Sequence, residues 1–323
     1  MPSDSILTVV LPVRNVEAYL PDMLTSLARN VDPDFQLVVV DDGSDDATPR
    51  VIDEFADQFD NLSVIRHEVA VGLADARNAG VSVATGKYVT FLDGDDWIER
   101  DYLRRLVAAI ERLDCDFVRV DHVQATGRDR VPHLAPEARR DVVLEPRSGI
   151  LPATRRTMVD YPYAWAGIYR RDLGALLRFP SGLHTAEDRP WIWRLHQEAT
   201  SYAVTSLAGV FYRRQVTNSL TQIGDSRQLH FLDAFAQVLD GVRREPELQP
   251  KAIRQFVAVL AHQIQTSERF SRPDRSIMRG RAREIFATLP PPVLTEALPW
   301  DARTELIEPL LPASVRRVRS VAS

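Results

Sequence analysis

Only one of the 323 residues, Cys115, is a cysteine. No intrachain disulfide can form, which rules out a cystine-stapled fold and suits a reducing compartment. Long hydrophobic runs are also missing. Stretches such as Leu37-Val38-Val39-Val40 are far too short to cross a bilayer. The start, Met1-Pro2-Ser3-Asp4-Ser5, has no basic segment ahead of an apolar one, so no signal peptide is expected. Positive charge is not in excess: the formal net charge of -5 supplies no basic field for nucleic acid. No internal repeat or low-complexity tract interrupts the chain. The expectation from these absences is a cytoplasmic chain, working in solution or at the inner face of the membrane.

What the sequence does contain is core material, with 45% hydrophobic residues against an ordinary 26% charged. At this length that can fill one large α/β unit and a smaller one. Residues 6–13 are a β-branched run that reads as a buried strand. Residues 17–28 carry Leu20, Met23, Leu24 and Leu27 at helical spacing, with Pro21 in the first turn. The alternation continues with a strand over 35–40, a helix over 48–59, a strand over 62–67, a helix over 72–84 and a strand over 88–92. That order predicts a mostly parallel sheet between two layers of helices.

A helix over 101–113 and a strand over 117–123 follow. Residues 124–148, with Gly127, Pro132, Pro136 and Pro146, read as a loop. Regular structure resumes at 164–169 and 187–197, and 202–212 ends the strand-rich part. The spacing turns helical from about 226, which divides the chain into 1–225 and a helical region, 226–323. The first of these divides into a nucleotide-binding half to about 125 and an acceptor half beyond it. Phe231, Leu232, Phe235, Val238, Leu239 and Val242 form one apolar stripe; Ile253, Phe256, Val257, Leu260, Ala261 and Ile264 form another. Each suits core packing, or failing that a contact between copies of the chain. Pro290-Pro291-Pro292 is expected to break the chain before two short helices, and Arg316, Arg317 and Arg319 to form a solvated end.

In an open parallel sheet, ligands bind outside the carboxyl ends of the strands. The first strand leads into Pro12-Val13-Arg14-Asn15, the second into Asp41-Asp42-Gly43-Ser44, and the fourth into Asp93-Gly94-Asp95-Asp96. Acids clustered in this way repel one another unless a cation or hydrogen-bond donors answer them. Asp93 and Asp95, one glycine apart after a strand, can reach a hard divalent cation and a ribose together. A solvated turn is the plainer reading of an Asp-x-Asp on its own. Asp41 and Asp42 are candidates for the base or ribose, and Asp45, Asp46 and Thr48 for capping the next helix. Arg77, on the helix after Gly72, could pair with Asp41 or the nucleotide, or form an ion pair holding helix to sheet. His196 reads as structural.

These segments together resemble family 2 glycosyltransferases of the GT-A fold. The likeness runs through Val9-Val10-Leu11-Pro12-Val13-Arg14-Asn15-Val16-Glu17-Ala18-Tyr19-Leu20, Asp41-Asp42-Gly43-Ser44, 72–80, and Thr85-Gly86-Lys87-Tyr88-Val89-Thr90-Phe91-Leu92-Asp93-Gly94-Asp95-Asp96-Trp97. It implies a Rossmann-like sheet and a nucleotide-sugar donor, usually a UDP-sugar. Pro12, Val13, Arg14, Asn15 and Glu17 would border the donor, Asp41 and Asp42 would meet its base, and Gly94 would allow close approach. Asp93 and Asp95 would bind a divalent metal, Mn or Mg. In His184-Thr185-Ala186-Glu187-Asp188-Arg189-Pro190-Trp191, Asp188 would be the catalytic base and Glu187 would orient the acceptor; an acidic helix start satisfies the same residues. Asp96, Trp97, Trp165 and His184 fall on the acceptor side. Arg213 or Arg214 could grip the diphosphate or be a surface charge. Many relatives have a lysine near 165–169, which this chain lacks. The acceptor would be a saccharide or polymer, with no nucleic acid as partner.

A nucleotidyltransferase would also use a parallel sheet, a metal and acidic strand ends. It would show a glycine-rich basic loop after the first strand, and Pro12-Val13-Arg14-Asn15 has no glycine. A non-catalytic nucleotide-sugar scaffold could lose the base, whereas Glu187-Asp188 is present.

Overall fold

The computed structural model describes residues 5–30, 32, 34–216, 224–298 and 301–322. Met1 to Asp4, on which the signal-peptide expectation rests, lie outside them, as does the side chain of Arg319. Strand β1 (Leu7–Val13) is buried along its whole length, as its unbroken apolar run requires. It pairs in parallel with β2 (Phe35–Asp41) on one side and β4 (Tyr88–Phe91) on the other, and β2 pairs in parallel with β3 (Leu62–Arg66). The helices between them are α1 (Leu20–Ala28), α2 (Thr48–Phe55) and α3 (Leu73–Ser82). Helix α2 is shorter than its spacing predicts, because residues Ala56–Gln58 tighten into a 3-10 turn. Since the chain leaves β1 toward β2 and later returns to β1's other edge with β4, the topology reverses at the carboxyl ends of β1 and β4. This is where a doubly wound sheet opens a crevice.

Beyond β4 come β5 (Trp97–Ile98), α4 (Tyr102–Leu113), β6 (Phe117–Val120), β7 (His122–Thr126), β8 (Asp129–His133), β9 (Gly167–Arg170), α5 (Asp188–Glu198), β10 (Tyr202–Thr205) and β11 (Val210–Arg213). The main sheet has the order β10-β6-β9-β4-β1-β2-β3. Its one antiparallel member, β9, fills the gap between β4 and β6.

The strand expected over 117–123 is in fact two. After Val120 the chain leaves the main sheet, and Asp121 turns inward to accept from the Ala135 amide (2.8 Å) and Arg140 (2.9 Å). It then enters a second sheet, β5-β11-β7-β8. The stretch read as a loop over 124–148 therefore begins with a β7–β8 hairpin, turned at Gly127 with φ +53°. Its strands are largely polar, with β8 mostly exposed, so hydrophobic periodicity carried no sign of them.

The C-terminal part consists of α6 (His230–Gly241), α7 (Gln249–Gln265), α8 (Arg272–Thr288), α9 (Pro291–Ala297), α10 (Ala302–Ile307) and α11 (Ala313–Ala322). Three short helices, not two, follow Thr288. The chain breaks at the proline run as expected, with Leu289 and Pro290 extended between α8 and α9; Pro291 and Pro292 then occupy the first turn of α9, where a missing N–H costs nothing. Both apolar stripes are buried in the same hydrophobic cluster as the sheet, which leaves neither for contact between copies of the chain. A fully buried large apolar side chain contributes about 1.5–3 kcal/mol, so a stripe of six outweighs typical net domain stability. Polar contacts fix how the helices seat: Trp193 donates to Gln255 (2.8 Å), and buried Lys251 pairs with Asp160 (2.5 Å).

Candidate active site

The site is built where the loops after β1 and β2 meet. The Asn15 amide donates to Ser44 Oγ (3.1 Å), and the Asp45 amide donates back to Asn15 Oδ1 (2.9 Å). The Val16 amide donates to Thr48 Oγ1 (2.9 Å), the Glu17 amide to Asp46 (3.1 Å), and the Ala47 amide to the Glu17 carboxylate (2.7 Å). Asn15 even takes a left-handed conformation, φ +52°, to reach its partners. Asn15 and Glu17 thus shape the pocket wall with their side chains already spent. Asp46 and Thr48 join the two loops, and Asp46 also accepts from the Thr48 amide (2.8 Å) at the start of α2, whereas Thr48 caps nothing there. Pro12 and Val13 are buried in β1, and exposed Arg14 has no partner among the described residues, so it remains available to a donor.

Asp41 and Asp42 are both buried, at 3% and 4% exposure. Asp41 accepts from the Ser44 amide (3.1 Å). Asp42 accepts from His67 Nδ1 (2.8 Å) and from the amides of Val71 (2.8 Å) and Gly72 (2.9 Å). Burial opposes its charge, yet those three donors hold its carboxyl below the usual range. The structure therefore turns Asp42 toward the 67–72 loop rather than toward a base. His67 was missed from sequence, although it ends the third strand at the same edge.

Helix α3 grips the segment that carries Glu187 and Asp188. Asp75 accepts from the Gly182 amide (3.1 Å). Asn78 both donates to the Phe179 carbonyl (2.9 Å) and accepts from the Phe179 amide (2.8 Å). Arg77, 3% exposed, donates to Glu187 (2.5 Å) and to Asp93 (2.9 Å), with its guanidinium 5.2 Å from the Phe179 ring centre. Of the readings open for Arg77, the ion pair is realised, but with Glu187 and Asp93 and not with Asp41. Ala186, at φ +60°, takes a left-handed turn uncommon for a residue with a side chain, just before the acidic pair. Burial pushes the Glu187 carboxyl up while Arg77 pulls it down. Asp188, half-buried at the start of α5, is raised by burial against the pull of Arg189 and Arg77.

Asp93 and Asp95 are half-buried at the crevice. Gly94 is required between them, since a Cβ there would stand 2.7 Å from Val13 Cγ1. No described side chain donates a hydrogen bond to Asp95, and burial together with neighbouring Asp93 raises its carboxyl to about 6. Two crowded acids, of which Asp95 stays raised despite the pull of Arg213, are a donor set suited to a divalent ion. The described residues hold no group of three or more metal-ligating side chains. The remaining coordination positions would fall to donor phosphate oxygens and water.

Two expected acceptor residues are not open to a ligand. Asp96 is fully buried and accepts from the Arg213 amide (2.7 Å), and burial beside Asp95 and Asp93 drives its carboxyl well up. Trp165, 3% exposed, is packed among Tyr163, Tyr212 and His122. Half-buried Trp97 stacks on Phe211 at 5.3 Å. His184 lies against Gly72, and its amide donates to His230 Nδ1 (2.9 Å).

Arg213 does not reach into the crevice. It bonds Asp22 (2.7 Å) and the Asp95 carbonyl (2.8 Å), and lies 4.6 Å over Trp97, so it locks the acidic turn instead. Arg214 is exposed over Tyr212. His196 is structural as expected, fully buried with Nδ1 at 2.8 Å from the Pro146 carbonyl.

An open sheet with acids at its switch point, and a second acidic pair strapped beside them, defines a doubly wound α/β architecture with an acidic crevice. The chain belongs to glycosyl transferase family 2, whose model matches residues 8–174. It is similar to the uncharacterized glycosyltransferase EpsJ of Bacillus subtilis, 29% identical over 222 residues, which are 68% of this chain and 63% of that protein. It is also similar to the poly(ribitol-phosphate) beta-N-acetylglucosaminyltransferase TarS of Staphylococcus aureus, 28% identical over 213 residues, 64% of this chain and 35% of that one. The chain thus spans less than two thirds of the length of either relative. The crystal structure of S. aureus TarS 1-349 in complex with UDP-GlcNAc superposes with a TM-score of 0.74 at 21% identity, covering 98% of this chain and 91% of that one. The mannosyltransferase PcManGT of Pyrobaculum calidifontis, in complex with GDP-Man and Mn2+, gives 0.54 at 18% identity, covering 99% and 88%. At such identities the likeness is one of fold, and it is the GT-A fold with its helical C-terminal region.

Proposed function

We propose that the chain transfers one sugar from a UDP-sugar to an acceptor hydroxyl, with inversion at the anomeric carbon. The observation that carries this reading is the Arg77 bridge. It holds the pair Glu187–Asp188 within one ion-pair network with Asp93, so acids from both halves of the sequence face one crevice. Asp188 takes the proton of the acceptor hydroxyl as its oxygen attacks, and the bond to the UDP oxygen breaks in the same displacement. Raised by burial, its carboxylate is a stronger base than a solvated one. Glu187 is the positioning residue, tied to Arg77. A divalent ion, Mn or Mg, held by Asp93 and Asp95 would neutralise the diphosphate leaving group.

Residues 1–225 are the catalytic unit in this proposal, and 226–323 are a helical region packed on it. The acceptor is a glycan, a polyol-phosphate polymer or a lipid-linked saccharide. The name of the relative TarS supports the second, and the inner membrane face is where such carriers could be met. The test is Asp188→Asn, which keeps the shape and cannot take the proton. Turnover should fall about a hundred- to ten-thousand-fold, with UDP-sugar affinity near normal. Near-normal turnover, or a product that retains the donor's anomeric configuration by proton coupling, would sink it.

A further inference from the structure

The chain as a whole is acidic, with net charge -5, yet residues 226–323 carry more Lys and Arg than Asp and Glu. The excess is concentrated on helix α8, which holds Arg272, Arg275, Arg279, Arg281 and Arg283. Helical geometry sorts them. At about 100° per residue, Arg272, Arg279 and Arg283 fall within about 40° of one another, and Arg275 flanks them by about 60°. Arg281 points the opposite way, and it alone of the five is consumed by an acid, Asp233 on α6. Arg275 donates to the Ser267 carbonyl. Arg272, Arg279 and Arg283 have neither an ion pair nor a hydrogen bond among the described residues. Arg272 and Arg283 are exposed and Arg279 is half-buried. The acids of α8 are off the stripe: Asp274 closes the Ser271 cap, and Glu284 lies about 100° round from Arg283. The result is a line of unneutralised guanidinium groups about 16 Å long.

The helix itself is joined to the segment that carries Glu187 and Asp188. Helix α8 packs against the turn Ser226–Leu229. The Arg227 carbonyl of that turn accepts from Thr185 Oγ1 (2.8 Å), two residues before Glu187. The helix that carries the stripe is thus linked through one turn to the segment that carries Asp188.

We infer that the α8 stripe binds a linear phosphodiester-linked polymer, the anionic chain whose hydroxyl is presented to the site. Guanidinium groups match phosphate oxygens in pairs, and a row of them suits charges repeated along a thread. A membrane surface fits less well. Interfacial helices pair a basic face with adjoining apolar anchors, and the exposed apolar residue of α8, Ile277 at 49% exposure, points about 140° away from Arg272. The inference rests on the transferase reading for the polymer's role as acceptor, but not for its binding.

The test uses the full chain and labelled linear inorganic polyphosphate, followed by fluorescence polarisation at low salt. The unaltered chain should bind it, with affinity falling as salt rises. The triple variant Arg272→Glu, Arg279→Glu, Arg283→Glu should bind at least about tenfold more weakly, with a shallower salt slope. The corresponding Lys variant should retain most of the binding. UDP with Mn should raise the melting temperature of all three proteins equally, and loss of that shift throughout would count against the donor reading instead. Any of four results overturns the inference: no polyphosphate binding by the unaltered chain, equal binding by the Glu variant, competition by orthophosphate at equal phosphate concentration, or stronger arginine-dependent binding to phosphatidylglycerol vesicles.

Discussion

Asp95 is a carboxylate to which no described side chain donates, pressed against Asp93 and raised to about 6. Nothing in the fold depends on it, so Asp95→Ala should leave thermal stability unchanged or slightly higher through relief of like charge. The same change should abolish Mn-dependent UDP binding in calorimetry. Binding that survives it unchanged would remove Asp95 from the proposed metal site. Residues at this scale were unevenly legible in the sequence. Asp93 and Asp95 could be picked out because a strand, a glycine and two acids in a row suit a ligand site. Asp96 and Trp165 are neighbours of such residues but point inward, and side-chain direction is set by β11 and by the aromatic cluster, which are remote in sequence. What holds Asp42 was hidden for a similar reason. Its donors are backbone amides at 71 and 72, and an amide leaves no mark in the residue code.

At the scale of elements, α3 is the part that joins the acidic turn after β4 to the segment carrying Glu187 and Asp188. Asn78→Ala would remove both hydrogen bonds to Phe179 and leave a buried amide and carbonyl unpaired. The cost should be about 2–4 kcal/mol, read as a shift in the urea midpoint. Turnover should fall further than the lost stability explains, because the strap carrying Glu187 and Asp188 is no longer anchored. If turnover per folded molecule is unchanged, α3 supports the fold but does not position the base. Alternating strands and helices were readable up to β4, where each element packs on its sequence neighbours. The β7–β8 hairpin was not, because both of its strands are polar and their pairing is decided by a sheet that β5 and β11 complete. The run Pro290-Pro291-Pro292 was legible as a breaker: α8 ends before it, and two of its members then start α9 at the helix position that tolerates proline.

Across the whole molecule, one hydrophobic cluster spans the sheet and the C-terminal helices, and it encloses imidazoles that stay neutral. Burial lowers His196 to about 4. The unfolded chain, with an ordinary His near 6.5, takes up a proton between pH 6.5 and 4 that the folded chain refuses. Stability from this group is therefore full above 6.5 and lost as pH falls toward 4, about 2 kcal/mol between pH 7 and pH 5. His196→Asn, whose amide can still donate to the Pro146 carbonyl, should be less stable at pH 7 but show a flatter stability profile between pH 7 and 5 in urea titrations. A profile as steep as that of the unaltered chain would move the acid sensitivity elsewhere. The lock on the acidic turn also bears on the order of assembly during synthesis. Asp96 and Arg213 are 117 residues apart, and Arg77 and Glu187 are 110 apart. A nascent chain can close β1 to β4 long before either partner leaves the ribosome, and long loops close late. Until then the emerging polypeptide carries a finished nucleotide crevice with an unfastened floor, so a ribosome stalled before residue 187 would display a folded half with no working centre.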